Sequence, residues 1–189
     1  MTELEGYIHH SFGIPQNEVT HIGRFFKQLK LRKGDYYLRA GHRSERLGFV
    51  QSGILREYLE VDNKEVTKWI STKGYFAVDL HSFLFHQPAR WNIQALTDCE
   101  LWVISGENYR QIAQLVPEWP RLETLFIGKC FAALEERVVS HLALSAEERF
   151  QMLLANRPGL FNLVPLQYIA SMLGMTPETL SRMRRKQAK

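Results

Sequence analysis

Four cationic side chains lie close together near the carboxyl end of the sequence: Arg182, Arg184, Arg185 and Lys186. Guanidinium and ammonium groups attract phosphate oxygens, and an arginine can also bond two acceptors on the edge of a guanine. The cluster therefore favours binding to nucleic acid. It is also compatible with a solvated helix face or a frayed, solubilising tail, so the elements that position these cations decide between the interpretations.

The charge of the chain is unevenly distributed. The formal net charge is +4, and residues 182–189 contain five cationic side chains, of which Lys189 is the last. The remaining sequence is therefore close to neutral. This asymmetry is typical of a globular protein that binds phosphates at one end.

Residues 166–186 show the pattern of a helix-turn-helix. Gly174 suits the left-handed backbone that ends a helix, and Thr176 and Pro177 suit the N-cap and the first position of the next one. Glu178 then lies at the positive end of the helix dipole. Apolar residues at helical spacing lie on the facing sides of the two helices: Ile169, Ala170, Leu173, Leu180 and Met183.

A helix-turn-helix with a basic second helix predicts binding in the major groove of double-stranded DNA. The cations of that helix would contact phosphates or base edges, and the polar residues near its start would face the groove. The predicted DNA-binding residues are Thr176, Glu178, Thr179, Ser181, Arg182, Arg184, Arg185 and Lys186. An ordinary helical hairpin with a solvated basic face is the alternative.

Other classes of protein receive little support. The sequence has no glycine-rich phosphate loop before a helix, no nucleophile elbow and no His-Glu-x-x-His pair, so we do not expect an enzyme. Cys99 and Cys130 are too few for a disulfide framework or a cysteine-rich metal site. No apolar run reaches the roughly 18 residues of a membrane span, and no signal peptide pattern is present. We therefore expect a cytoplasmic protein without a membrane partner.

Residues 19–106 have the pattern of short strands separated by turns. Residues 54–61 alternate between two faces, and Val61–Lys64 is a candidate hairpin turn. A short helix through Phe25–Leu29 is expected to lead into the first strand. The strand candidates are Asp35–Leu38, Leu47–Val50, Gly53–Leu59, Val66–Ile70 and Glu100–Ile104. Many short strands at this spacing favour a barrel, a sandwich or a jelly roll.

Residues 117–143 are expected to form one long helix. Two prolines at its start are followed by good helix formers that only Gly128 interrupts. The helix has two apolar stripes where a surface helix needs one, so the second is expected to pack on the same helix of another subunit. The predicted dimer contacts are Leu122, Phe126, Ile127, Cys130, Phe131, Ala133 and Leu134. Burial of the helix within a monomer is the alternative.

The last segment is expected to form a three-helix domain. Ser145 is a suitable N-cap before two acidic residues, and Arg157–Gly159 ends that helix before the helix-turn-helix begins. The predicted fold is therefore α+β. It comprises a β-rich domain at residues 1–116, a dimerisation helix at residues 117–143 and a helix-turn-helix domain at residues 144–189.

This order of elements, together with several short motifs, resembles the catabolite activator/Fnr family of bacterial transcription regulators. The motifs are Lys33–Asp35, Gly41, Val50–Arg56, Gly74–Phe76, Ala95–Ser105, Ser145–Phe150 and Ile169–Arg182. The resemblance implies a jelly-roll-like β-roll of the cyclic-nucleotide-binding type and a homodimer that binds DNA in the major groove. It also implies that Glu178 and Arg182 contact base edges. RNA polymerase and an unidentified small-molecule effector are further implied partners.

The chain departs from the family at the cassette that binds the cyclic nucleotide. Nucleotide-binding members have a Gly-Glu pair that meets the ribose and an Arg-Ser or Arg-Thr pair that meets the cyclic phosphate. Val78–Asp79 and Ala89–Arg90 stand at these positions. Because neighbouring residues of a strand point to opposite faces, Arg90 is expected to leave the phosphate without a cation. A register shifted by one residue would return Arg90 to the phosphate and is the alternative.

We therefore expect no binding of cyclic AMP or cyclic GMP, no cofactor and no metal. The roll would be filled by its own side chains or by a more apolar effector. The candidate effector residues are Asp79, Ser82, Phe83, Arg90 and Trp91. Two cysteines exclude the four-cysteine iron–sulfur sensor of the Fnr type, and His81 and His86 are the histidines that flank the cassette. No wing is expected after the recognition helix, and a signalling module that acts through protein contacts is the alternative function.

Overall fold

The computed structural model describes residues 2–187, with the exception of the side chain of Phe12. Lys189, one of the cations counted above, lies outside this range. The chain folds into two compact units. One comprises the residues up to Leu59 together with Trp69–Phe126, and the other comprises Glu60–Lys68 together with the residues from Ile127 onward. Within the described range, no helix is long and apolar enough to cross a membrane.

Helices and strands follow one another in an order that confirms the predicted α+β class. The first half contains α1 (Glu3–Phe12), α2 (Gln16–Gly23), β1 (Lys27–Leu31), β2 (Tyr36–Leu38), β3 (Arg46–Ser52), β4 (Leu55–Val61), β5 (Lys64–Ser71), β6 (Phe76–Ala77), α3 (Leu80–Phe85) and β7 (Asn92–Ala95). The second half contains β8 (Cys99–Ser105), α4 (Gly106–Leu115), α5 (Trp119–Ala143), α6 (Ala146–Asn156), α7 (Leu160–Leu163), α8 (Leu166–Leu173) and α9 (Pro177–Gln187).

The strands form a roll of two four-stranded sheets, in the orders β1-β8-β3-β6 and β2-β7-β4-β5. Alternate residues of a strand point to opposite faces, and β3 shows the consequence. Val50 is buried in a cluster that draws residues from both sheets, whereas Leu47 and Phe49 pack in a second cluster with α1, α2 and α4. The predicted β-roll is confirmed.

The start of the roll corrects the sequence prediction. The predicted helix through Phe25–Leu29 is wrong, because Lys27–Leu31 is strand β1 and pairs antiparallel with β8. Leu29 and Leu31, two residues apart, both pack on the cluster inside the roll, as the period of a strand requires. Two helices precede the strand, and the first begins with a capping box in which Thr2 and Glu5 each bond the backbone N–H of the other.

The predicted hairpin turn at Val61–Lys64 is confirmed. Strand β4 ends at Val61 and β5 begins at Lys64, so the turn has two residues. Asp62 and Asn63 both have positive φ, at 50° and 60°. This is the backbone of a type I′ turn, whose twist matches that of the flanking strands and which favours Asp and Asn.

The predicted long helix is present as α5, and its two ends belong to different units. Trp119 and Leu122 are buried in the core of the first unit. The residues from Ile127 onward belong to the second unit. The predicted boundary at residue 117 therefore differs from the division into compact units, because the start of α5 completes the core of the roll unit.

Within the described residues, the second unit ends in the helices α6 to α9, one more than the predicted three. The additional helix α7 is a single turn between Arg157–Gly159 and the helix-turn-helix. Phe150, Phe161 and Leu180 are buried in the core of this domain, and the ring centroids of the two phenylalanines are 5.6 Å apart. Truncation of a buried leucine such as Leu180 costs about 2–5 kcal/mol, so packing holds α9 in place.

Candidate DNA-binding surface and ligand cassette

Backbone hydrogen bonds fix the turn between α8 and α9. Gly174 has φ 67° and ψ 39°, in the left-handed region. The N–H groups of Gly174 and Met175 donate to the carbonyl oxygens of Ser171 and Ala170, at 3.1 and 3.0 Å. A side chain on residue 174 would strain this backbone, so glycine sets the angle between the two helices.

Thr176 precedes α9 and caps its first turn. Its hydroxyl oxygen accepts a hydrogen bond from the backbone N–H of Thr179 at 3.2 Å. The backbone N–H of Glu178 and the side chain of Thr176 both bond the Glu178 carboxylate and lower its pKa. Glu178 is therefore ionised at neutral pH, and its charge lies at the positive end of the helix dipole.

One face of α9 is largely open to solvent. We call it the recognition face, and it consists of Glu178, Ser181, Arg182, Arg185 and Lys186. The spacing of these residues places them on a single stripe of the helix. The stripe carries three cations and one carboxylate, and it combines donors for phosphates and base edges with one acceptor that suits the amino group of a cytosine.

The remaining predicted DNA-binding residues lie elsewhere on the helix. Thr176 and Thr179 bond one another at its start, as described above. The guanidinium carbon of Arg184 lies 5.7 Å from the centroid of the Phe161 ring, and the side chain is half-buried. The structure thus directs Arg184 toward the core of its own domain and leaves Arg182 and Arg185 on the open side.

Two arginines outside the predicted site, Arg137 and Arg149, hold the end of α8. Arg137 of α5 donates to the carbonyl oxygen of Met172 at 2.7 Å. Arg149 of α6 donates through Nε to the carbonyl oxygen of Leu173 at 2.9 Å and through Nη1 to that of Leu144 at 2.6 Å. Helix α8 has no basic residue in its own last turn, so these distant cations satisfy its terminal carbonyls and complement its dipole. The lack of a basic residue in the last turn of α8 is the feature of the sequence that could have indicated cations from other helices.

The cassette begins at Asp79, which is the N-cap of α3 and is 4% exposed. One carboxylate oxygen accepts the backbone N–H of Ser82 at 3.0 Å. The other accepts the backbone N–H of Arg90 at 2.9 Å. Both oxygens of the carboxylate are therefore engaged within the domain.

Ser82 is engaged in the same way. Its hydroxyl donates to the carbonyl oxygen of Gln87 at 2.6 Å and accepts the backbone N–H of Ser44 at 2.7 Å. The backbone N–H of Ala89 donates to the carbonyl oxygen of His42 at 2.8 Å. These bonds tie the loop before β3 to the segment between α3 and β7.

The other predicted effector residues do not join Asp79 and Ser82 in a polar cluster. Phe83 is buried, and its ring centroid lies 5.1 Å from that of Tyr109. The side chain of Arg90 is exposed, and Trp91 is half-buried. His81 packs beside the ring of Phe85 at 5.7 Å, as one of the two histidines that flank the cassette.

A family model of the cyclic nucleotide-binding domain matches residues 28–115, which run from β1 to the end of α4. Solved structures extend the similarity to most of the chain. CLP, a c-di-GMP responsive global regulator from Xanthomonas campestris, is 19% identical with a TM-score of 0.71, and the match covers 92% of each chain. A transcriptional regulator of the Crp/Fnr family from Eubacterium rectale is 19% identical with a TM-score of 0.71, over 96% of this chain and 87% of that one.

The catabolite activator protein of Thermus thermophilus is 20% identical with a TM-score of 0.59, over 96% of this chain and 86% of that one. This chain has the Crp/Fnr fold. The predicted resemblance is confirmed, and α5 to α9 complete the Crp/Fnr fold beyond the matched nucleotide-binding domain. No curated protein matches the sequence itself.

Proposed function

We propose that this protein is a transcription regulator that binds double-stranded DNA through the recognition face of α9. The observation that carries the proposal is the open stripe on which Arg182, Arg185 and Lys186 lie beside Ser181. Arginine can bond a guanine edge with two donors, and lysine contacts phosphate as a point charge. The Crp/Fnr fold supports the same function. The protein has no enzymatic activity in this proposal.

The regulator acts as a two-fold dimer through the second apolar stripe of α5. Ile127, Phe131, Leu134 and Val138 recur at alternating intervals of four and three residues, which is the seam of a coiled coil. All four side chains are exposed in the single chain, Phe131 by 65%. A stripe of this kind on an isolated helix favours a partner surface, and a second copy of the same helix supplies one.

The first apolar stripe of α5 has a different environment. Leu122 is 5% exposed and lies in the core of its own domain, and the Phe126 ring lies 4.9 Å from that of Phe76. We therefore remove Leu122 from the dimer contacts because it is buried, whereas Phe126 packs on Phe76 with part of its side chain still exposed. Cys130 and Ala133 are half-buried and flank the seam.

The cassette does not bind cyclic AMP or cyclic GMP in this proposal. The Asp79 carboxylate accepts the backbone N–H of Arg90, next to Ala89 at the phosphate position, and an anion there repels a cyclic phosphate. The Arg90 side chain is exposed, which supports the unshifted register. CLP responds to c-di-GMP. For this chain we propose an effector other than a cyclic mononucleotide, or none.

A signalling module that works through protein contacts is the second candidate. The exposed apolar side chains of Met152 and Leu163, on α6 and α7, favour it, because they offer a partner a surface away from α9. The charge of the recognition face favours DNA instead.

Selection of duplexes from a random pool, followed by fluorescence anisotropy at increasing salt, tests the proposal. We expect a defined bound sequence and an affinity that falls steeply with salt, since phosphate contacts release counterions. The matched control is the variant Arg182→Gln with Arg185→Gln, which keeps the length and polarity of the side chains and should lose selection. A wild-type protein without salt-dependent affinity for any duplex contradicts the proposed function.

A further inference from the structure

The tip of the β4–β5 hairpin belongs to the same compact unit as the helix-turn-helix. The side chain of Ser171 in α8 contacts this segment, Glu60–Lys68. The hydroxyl oxygen of Ser171 accepts the backbone N–H of Thr67 at 2.9 Å. The same hydroxyl donates to the carbonyl oxygen of Glu65 at 3.2 Å. A single serine therefore bonds the hairpin backbone as both acceptor and donor.

Ser171 is a polar residue on an otherwise apolar stretch of α8. Its neighbours Ala170 and Met172 are buried, as are Ile169 and Leu173. Thr67 is buried as well. A buried backbone N–H that loses its acceptor destabilises the fold. The bond between Ser171 and Thr67 is therefore favourable only while α8 stays next to this part of the hairpin.

A second attachment joins α8 to the dimerisation helix. Arg137, which bonds the carbonyl oxygen of Met172, lies on α5 between the seam residues Leu134 and Val138. The chain itself connects α5 to α6 only through Leu144–Ser145. A two-residue connection alone does not fix the angle between α5 and the helices that follow it. The hydrogen bonds of Arg137 and Ser171, which both reach the end of α8, restrict the rotation of α8 relative to α5.

We propose that Ser171 is a positioning residue for DNA recognition. It holds α8 on the hairpin tip, while Arg137 attaches the same end of α8 to the seam helix α5, and together these contacts orient the recognition helix relative to the dimer seam. This inference rests on the proposed function. Two recognition helices of a dimer must reach half-sites about one helical turn apart. Loss of the Ser171 contact therefore relaxes the preferred half-site spacing and leaves the recognition face itself intact.

The test compares the full-length protein with Ser171→Ala, Ser171→Thr and Gln167→Ala. Gln167 is an exposed residue of the same helix and serves as the matched control. Each protein is titrated with a duplex that contains one selected half-site and with a series of two-half-site duplexes whose spacing changes by single base pairs. We expect Ser171→Ala to bind the single half-site within about twofold of wild type and the best two-half-site duplex about tenfold more weakly. Its preference among spacings should become flatter, and Ser171→Thr should retain it.

The proposal is overturned if the Ser171→Ala variant binds both kinds of duplex with the affinity of the wild type. An equal loss on the single and double half-sites also overturns it, because that result places Ser171 in the DNA surface. Hydrogen exchange of the Thr67 amide separates this inference from the proposed function. Exchange should accelerate about tenfold in Ser171→Ala and remain unchanged in Gln167→Ala. Accelerated exchange in a protein that binds no duplex would refute DNA binding and retain the contact, whereas unchanged exchange refutes the contact itself.

Discussion

Helices α9 and α3 both have a carboxylate at or near the N-terminus, and the two carboxylates lie in different surroundings. Glu178 stands on an open face beside Arg182 and Arg185. Asp79 is buried, and both its oxygens accept backbone N–H groups. The residue types alone make both helices candidate ligand sites. Both carboxylates are bonded within the chain, so exposure separates them: Glu178 lies open to solvent among cations, whereas Asp79 is buried.

The difference has a consequence for regulation. A ligand at the cassette would have to displace the bonds of Asp79 to Ser82 and Arg90, and those bonds already satisfy the first turn of α3. Among the described residues, no side-chain hydrogen bond or ion pair engages Arg182, Arg185 or Lys186 of the recognition face. Under the proposed function, α9 is therefore the helix that recognises an anion, and α3 is not.

The largest expected effect is a loss of DNA binding by α9 that is caused by a substitution in α5. Phe131→Asp places a charge in the seam of α5, so we expect monomers. We also expect DNA affinity to fall at least about a hundredfold, because a monomer binds one half-site without the gain from a linked second site. Phe131 is exposed, so the substitution spares the core of the single chain. Sedimentation and anisotropy measure both effects.

Ala132→Asp is the matched control for this variant. Ala132 is exposed on the same helix and lies beside the seam, outside the residues that repeat along it. It should remain dimeric and bind DNA like wild type. A wild-type protein that is monomeric at micromolar concentration would contradict the dimer.

The second prediction separates two adjacent arginines of α9. Arg185→Ala should cost about 1–3 kcal/mol of binding free energy, because Arg185 lies on the recognition face. Arg184→Ala should change DNA affinity little and lower the free energy of unfolding instead, because Arg184 lies over the Phe161 ring. Anisotropy with the selected duplex and urea unfolding measure the two quantities. Equal losses of affinity in both variants would return Arg184 to the DNA surface.

The sequence predicts α9 better than α3 for a physical reason. The turn at Gly174 and the cap at Thr176 act on residues within five positions, so a local pattern reveals them. The cassette depends on the bond between Ser44 and Ser82, which are 38 residues apart. No local pattern shows that bond, so the sequence does not predict that Asp79 and Ser82 are bonded within the chain.

The same limit explains the other differences. Strand β1 exists because β8, some seventy residues later, supplies its hydrogen bonds. The contact of Arg137 with Met172 joins residues 35 positions apart. The strands β2 to β5 and the hairpin at Asp62 and Asn63 follow from alternation and turn chemistry, which are local. Local chemistry thus predicts the elements, and distant partners decide which polar groups remain available.

The third prediction tests whether the buried carboxylate of Asp79 stabilises the fold. Asp79→Ala should lower the free energy of unfolding by about 1–2 kcal/mol, because α3 loses its cap and the N–H of Arg90 loses an acceptor. Asp79→Asn should lose less, since an amide oxygen still caps the helix. Urea unfolding measures both variants. A neutral Asp79→Ala would mean that the carboxylate is held for a ligand, and micromolar binding of cyclic AMP by calorimetry would support that interpretation.

The smallest expected effect concerns the carboxylate on the open side. The backbone N–H of Glu178 and the Thr176 side chain lower the pKa of Glu178 below its ordinary 4.5. A carboxyl group whose pKa is lower in the folded than in the unfolded chain stabilises the fold above the unfolded pKa, and this contribution is lost as the pH falls through the folded one. The difference in Tm between wild type and Glu178→Gln should therefore be constant from pH 8 to about pH 5.5 and shrink below about pH 4.5. Because Glu178 is open to solvent, added salt should reduce the difference across the whole range. A Tm difference that grows as the pH falls would show that the helix dipole and the Thr176 cap do not stabilise the ionised Glu178. Packing and the turn at Gly174 alone would then determine the orientation of α9.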